Sequence, residues 1–502
     1  MLYIPDIEPK ILWKYFQEIS AIPRCSKHDE KIREYIKGFA RKQKLEFTED
    51  KVGNILIRKP ASKNTLNLPV VILQAHLDMV CEKNEGIIHD FSRDPIVLKR
   101  EDDYISAVDT SLGADNGIGV ASMLAILDSR EITHPPLECL FTVDEESGFT
   151  GIFGIERDFL KGRIMVNLDG EEDENIYIGC AGGVNTFLKL PLKFKTEKLI
   201  EKNEYLISVS GLRGGHSGID IHLGRANAIK LLAMAVWNLS EKFDFELVKI
   251  DGRGKSNAIP REAKATVLIR GSNIERIKSQ LKMLTEKLSL EFKSVDPGLK
   301  INITRVESDS ASEQVMDSIS KEKVLSLLMS LPDGVIKMCP DGDIVETSTN
   351  LANVRTEFEE ENRGRLSTLL MSRSLRSNEL KDIRDKIKEI GKRAGTQVEE
   401  GMVYPEWEPR KESHLLNLAK KVYNDLFGKM PFTRVVHAGL ECGVIAQKFP
   451  EMDIISIGPL IEHPHSPRER VKISSVSKYF EFLKGILSEL SKRRFKEAAD
   501  EN

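Results

Sequence analysis

Long apolar runs are missing from this chain of 502 residues; none approaches the ~20 consecutive apolar residues that a membrane helix needs. An excess of one charge is missing too. Lysine and arginine total 74 against 78 acids, a formal net charge of −4. That balance excludes a strongly basic nucleic-acid binder and gives no pull towards an anionic membrane surface. Cysteine is sparse. The six (Cys25, Cys81, Cys139, Cys180, Cys339, Cys442) stand singly. With no CxxC pair and no framework spacing, they read as reduced thiols, mostly small buried hydrophobes. The first residues lack the apolar core of a signal peptide, because Pro5, Asp6, Glu8 and Pro9 interrupt it. The expected address is the cytoplasm. What remains is the composition of a soluble globular protein, 40% hydrophobic and 30% charged. The length suits two domains and needs no covalent staples.

Alternating apolar strands and helices fill the first stretch. ILWKYFQEI and DEKIREYIKGFARKQK have helical periodicity, GNILIRK and PVVILQAHLDMV read as strands, and the Gly/Asp-rich turn SLGADNGIGVASMLAILDS runs into an apolar helix. Strand LECLFTVDEE, helix-like GIFGIERDFL and strand RIMVNLD follow. Near-continuous apolar strands alternating with helices predict an α/β domain with a largely parallel sheet flanked by helices. From residue 187 the strands alternate instead (TFLKLPLKF, YLISVSGL), which predicts an inserted α+β domain over 187–402. Inside it, ATVLIRGSNIERIKSQLKMLTEKL and STLLMSRSLRSNELKDIRDKIKEI echo one another. Each reads as strand, arginine, Ser-Asn start and amphipathic helix, suggesting two similar halves. After YPEWEP the α/β texture resumes, so 1–186 and 403–502 are expected to form one catalytic domain. The tail SKRRFKEAADEN reads as a solvated helix end.

Polar residues collect at the ends of the apolar strands, where α/β sheets place ligand sites. His76 and Asp78 close PVVILQAHLDMV, Asp144, Glu145 and Glu146 close LECLFTVDEE, and Asp169 closes RIMVNLD. Asp115 sits in the turn that opens a helix. His463 and His465 come late, in IGPLIEHPHSP. Each has an ordinary reading when taken alone: an HxD hydrogen bond, an N-cap, a loop of solvated acids. For Glu171, Glu172 and Asp173 the solvated loop is the reading adopted. Together, few nitrogens and many carboxylates without cysteine suit one or two divalent ions such as Zn²⁺ or Mn²⁺. Crowded acids at an apolar strand end repel one another unless a cation sits among them.

The series AHLDMV, GADNGIG, DEESG, VNLD and PHSP resembles the dinuclear metallopeptidase family of aminoacylases, carboxypeptidase G and cytosolic dipeptidases. GCAGG, GLRGGHSG, SNAIPREA, HAGLECG and SIGP resemble its aminoacyl-histidine dipeptidase (Xaa-His dipeptidase, peptidase D) branch. The resemblance runs through nearly the whole chain. It implies that His76 and Asp169 hold one metal ion, that Glu146 and His465 hold the other, and that Asp115 bridges them. Zn²⁺ is the first choice, with Mn²⁺ or Co²⁺ as alternatives. Glu145 is implied as general base and then acid for a metal-bridged water, with Asp78 orienting His76. His465 rather than His463 takes the family position directly before Ser-Pro. In the insert, His216 is implied to stabilise the oxyanion, and Asn257 and Arg373 to contact substrate. Glu441 is implied near its free amino end, while His437 reads as structural.

The resulting expectation is a cytoplasmic metallo-dipeptidase acting on unblocked dipeptides, including Xaa-His, as a possible homodimer through the insert. The competing readings are a same-fold aminoacylase or tri/aminopeptidase acting on other substrates, and a non-catalytic binding protein that keeps the fold. No nucleic-acid or membrane partner is expected.

Overall fold

The computed structural model describes residues 7–62, 68–196, 202–306, 314–340, 342, 344–360 and 362–492. Pro5, Asp6 and most of the charged tail lie outside the described residues. The chain forms two compact units. Met1–Cys180, Trp407–Val435 and Leu440–Asn502 make the first, and Ala181–Glu406 with Val436–Gly439 the second. The changes in texture read at 187 and 403 thus stand beside chain crossings after Cys180 and Glu406. The short return at Val436–Gly439 had no counterpart in the sequence reading.

The first unit is built on an eight-stranded sheet. Its order is Glu46–Glu49, Ile55–Lys59, Leu137–Thr142, Val71–His76, Ile164–Asn167, Asp453–Ser456, Asn175–Cys180 and Phe432–Val436. Val71–His76 lies parallel to both Leu137–Thr142 and Ile164–Asn167, and Asp453–Ser456 lies parallel to Ile164–Asn167. Glu46–Glu49 with Ile55–Lys59, Ile55–Lys59 with Leu137–Thr142, and Asp453–Ser456 with Asn175–Cys180 pair antiparallel. The sheet is therefore mixed, parallel in its four central strands. Every residue of Val71–His76 and Leu137–Thr142 is buried, as expected for strands covered on both faces.

Helix Ala114–Asp128 is apolar all round and buried along nearly its whole length. Helix Lys10–Ser20 buries Leu12, Trp13, Phe16 and Ile19 in the same core. Each such side chain contributes about 1.5–3 kcal/mol of burial. Helices His414–Phe427 and Ile473–Leu490 add Leu415, Leu418, Phe480 and Leu483. The segment read as GIFGIERDFL is helical only over Thr150–Gly154.

One cysteine expectation is corrected. Cys25 and Cys81 form a disulfide, while Cys139, Cys180, Cys339 and Cys442 are free. The pair is separated by 56 residues, and only the adjacent placement of residues 25 and 79 in the fold brings the two together.

The second unit carries a ten-stranded sheet backed by helices Ala228–Ser240, Ile274–Glu291, Ser318–Ser330 and Ser377–Ala394. Both echoed segments are strand-then-helix: Ala263–Arg270 before Ile274–Glu291, and Arg363–Ser374 before Ser377–Ala394. Neither helix start carries a side-chain cap. The Ser-Asn pairs mark the starts without capping them.

Candidate metal centre

Parallel strands bring their carboxyl ends to one edge of the sheet, and here the register aligns them closely. His76 pairs with Thr142, and Gln74 with Asn167. His76 is the last residue of its strand, Glu145 opens a short helical turn just beyond Thr142, and Asp169 lies two residues past Asn167. The non-helical first turn of Ala114–Asp128 adds Asp115, and a loop elsewhere in the first unit adds His465.

Asp115 is the centre of the cluster. Its Oδ1 lies 3.0 Å from His76 Nε2, and its Oδ2 lies 3.0 Å from His465 Nε2. On the first side, Asp169 Oδ1 is 3.4 Å from His76 Nε2. On the second, Glu146 Oε1 is 3.0 Å from His465 Nε2. One donor atom each from His76, Asp115 and Glu146 lies within 4.8 Å of the others. The structure thus brings together His76, Asp115, Glu146, Asp169 and His465. His463 is exposed and is not part of the cluster.

The electrostatics suit a cation. Burial pushes Glu146 up to about 7 and Asp169 up to about 6, and the Asp115 charge adds to both. Burial alone would lower His76 and His465, but the surrounding carboxylates hold both well above the usual imidazole value. Glu146 Oε1 is buried and has no hydrogen-bond partner despite its closeness to His465. A buried carboxylate oxygen without a donor is costly unless a positive charge meets it. The donor set, two imidazoles and three carboxylates around a shared Asp115, fits divalent cations of the Zn²⁺ or Mn²⁺ kind.

Asp78 has no exposed surface. Its Oδ1 is 3.6 Å from His76 Nδ1 and accepts the Glu145 N–H at 3.0 Å. Its Oδ2 accepts from the Glu146 N–H at 3.2 Å and from Ser26 Oγ at 2.7 Å. One carboxylate therefore faces the ring of His76 and also fixes the backbone that carries Glu145 and Glu146. Burial pushes Glu145 well above the carboxyl range; Glu146 and Asp169 add to the shift and His76 opposes it.

Glu441 has no exposed surface either. Its Oε2 accepts from Gln74 Nε2 at 2.5 Å and from Thr142 Oγ1 at 2.7 Å. Burial pushes its carboxyl up to about 8. The residue opens helix Glu441–Lys448, and these two bonds hold its side chain against the central strands. Glu171, read as a solvated acid, is half-buried. Burial raises its carboxyl well above the ordinary value, and the nearby Asp115 charge adds to this. An acid two residues past the strand-end Asp169 was the signal for it.

His216, Asn257 and Arg373 belong to the second unit. His216 Nδ1 accepts the N–H groups of Gly218 and Ile219 at 3.1 and 3.0 Å, which puts the ring proton on Nε2 as a donor. The Asn257 carbonyl accepts from Ser217 N–H at 2.7 Å. Arg373 is buried, donates to Tyr404 Oη at 2.8 Å and leaves its Nε without a partner. By contrast Arg270, its counterpart in the echo, is exposed. Gly218 sits where these groups converge. A Cβ there would lie 2.3 Å from the His437 carbonyl oxygen and 3.2 Å from Arg373 Nε.

His437 is buried with Nε2 2.8 Å from Ser348 Oγ. Burial, helped by the Arg373 charge, lowers it to about 3. Below about pH 6.5 the unfolded chain takes up a proton that the folded chain refuses, so stability falls with pH by up to ~1.4 kcal/mol per unit. Between pH 6.5 and 5 the wild type is expected to lose about 2 kcal/mol more than His437→Gln. Urea unfolding at the two pH values measures the difference, and equal acid sensitivity would contradict it.

Comparison with known proteins bears on all of this. The M20 peptidase dimerisation domain pattern matches residues 207–296. The cytosol non-specific dipeptidase of Escherichia coli (strain K12) is 38% identical over 98% of this chain and 99% of its own. The chain belongs to the M20 dipeptidase family. It is thus a peptidase by family, a hydrolase, and a divalent-metal centre comes with that membership. The solved aminoacylhistidine dipeptidase of Vibrio alginolyticus is 36% identical, with a TM-score of 0.77 over 97% of this chain and 98% of that one. A tripeptidase from Staphylococcus aureus is 15% identical, with a TM-score of 0.58 over 97% of this chain and 100% of its own. At that identity the likeness shows the fold alone. Among the described residues, no helix of this M20 family member is long and apolar enough to cross a membrane.

Proposed function

We propose that this M20 family member hydrolyses unblocked dipeptides, Xaa-His among them, at a centre that holds two divalent ions, Zn²⁺ first. The observation that carries the reading is Asp115, whose two carboxylate oxygens each stand 3.0 Å from a different imidazole. A carboxylate shared in this way suits two cations side by side. His76 and Asp169 would hold one, Glu146 and His465 the other.

When bound, such ions act as Lewis acids on the scissile carbonyl and acidify water. The chain's own residues do the rest. Glu145 takes a proton from the attacking water and returns it to the leaving amine. Asp78 fixes the His76 ring and, through the Glu145 N–H, the base itself. His216, as an Nε2–H donor, is proposed to stabilise the oxyanion and Arg373 to take the peptide's terminal carboxylate, with Asn257 beside them. Glu441, held by Gln74 and Thr142, is proposed to stand near the substrate's free amino end. Residues 187–402 are proposed as a lid through which two copies pair, and the cytoplasm as the address.

The test is a substrate panel with metal-loaded protein: several dipeptides including Xaa-His, one tripeptide and N-acetylated amino acids. Preferential cleavage of the dipeptides is expected. Cleavage of the acylated amino acids or of the tripeptide alone would move the assignment to those relatives, and no cleavage at all would favour a binding role.

A further inference from the structure

A second buried carboxylate, outside the ligand cluster, holds the segment that carries Asp115. Glu469 is 2% exposed, and its two oxygens accept four successive backbone N–H groups. Oε2 takes Leu112 and Gly113 at 2.8 and 2.9 Å, and Oε1 takes Ala114 at 2.7 Å and Asp115 at 3.4 Å. The same short segment supplies His465. The Glu469 N–H bonds the Ser466 carbonyl at 3.0 Å, so His465 and Glu469 leave one tight turn and reach Asp115 by its side chain and its backbone respectively. Arg24 adds a cross-tie, donating to the carbonyls of Leu77, Asp78 and Gly113.

We propose that Glu469 is a positioning residue that sets the spacing between Asp115 and His465, and hence the affinity of the His465–Glu146 metal position. The inference rests on the dinuclear reading above. His76 and Asp169 stand at or just beyond strand ends held by sheet register, so their position survives loss of the clamp. His465 lies on a loop and Asp115 in the non-helical first turn of Ala114–Asp128, and Glu469 ties these two segments together. A neutral amide in place of the carboxylate meets two of the four N–H donors with a donor of its own.

The test titrates metal-stripped full-length protein with Zn²⁺ against a competing chelator, with thermal unfolding of each variant as the fold check. The wild type is expected to take two ions. Glu469→Gln should take one near wild-type affinity and the second with affinity weakened about 10–100-fold, the range for losing a group that orients a ligand. Its kcat should fall with little change in KM. Glu469→Asp, which keeps the charge but is one carbon shorter, should lie between the two. A folded Glu469→Gln with two wild-type affinities would overturn the proposal, as would equal weakening of both ions. Failure of both variants to fold would also overturn it, by making Glu469 a folding residue. Fewer than two ions on the wild type would instead overturn the dinuclear reading on which the proposal stands.

Discussion

Replacing Glu145 by glutamine is expected to lower dipeptide turnover about 10²–10⁴-fold, the range for removing a positioned acid–base group. Metal content and thermal stability should stay near wild type. The side chain opens the turn just beyond Leu137–Thr142, and its N–H is held by Asp78 Oδ1 at 3.0 Å. Glutamine keeps the volume and that backbone bond but cannot carry a proton between water and amine. The neighbouring Glu146, not Glu145, faces His465, so the ligand set is untouched. Steady-state hydrolysis with parallel metal analysis checks this. Turnover within threefold of wild type would remove Glu145 from the chemistry.

Asp115→Ala should have the larger effect on metal. Each position loses its shared carboxylate at once, because one oxygen faces His76 and the other His465. In the wild type, ions at 100 times their Kd stabilise the fold by about 2.7 kcal/mol per site. That gain should vanish in Asp115→Ala over the same metal range, together with activity. Thermal unfolding of stripped protein with rising Zn²⁺ reads it directly. A variant that still gains stability at wild-type Zn²⁺ concentrations would show that Asp115 is not shared.

The centre of the fold was legible because its signals are local. The apolar strand Val71–His76 and the apolar helix Ala114–Asp128 each carry their pattern in a few consecutive residues. The carboxyl-end rule for parallel strands then gathers His76, Glu146 and Asp169 without any knowledge of distances. The echo between Ala263–Glu291 and Arg363–Ala394 was legible for the same reason. Long-range partners were not. Glu469 lies more than 350 residues from the amides it accepts, and nothing in RERV distinguishes it from a surface acid. Ser26 and Arg24, far off in sequence, support Asp78 and the Gly113 carbonyl just before Asp115. Cys25 and Cys81 look single in sequence because only tertiary pairing joins them. Glu171 was misread because a run of acids after a strand usually faces water, and here the side chain feels the Asp115 charge. The antiparallel outer strands escaped notice since a short amphipathic strand carries no mark of direction.

The central claim is that one shared carboxylate organises two ions into a single hydrolytic centre. The most direct measurement is dipeptide hydrolysis by stripped protein as Zn²⁺ or Mn²⁺ is added back, with bound metal counted at each step. The account predicts negligible cleavage without metal and a rise to full activity as occupancy approaches two ions per chain. Full activity in the presence of excess chelator, or a plateau at one ion per chain, would contradict it.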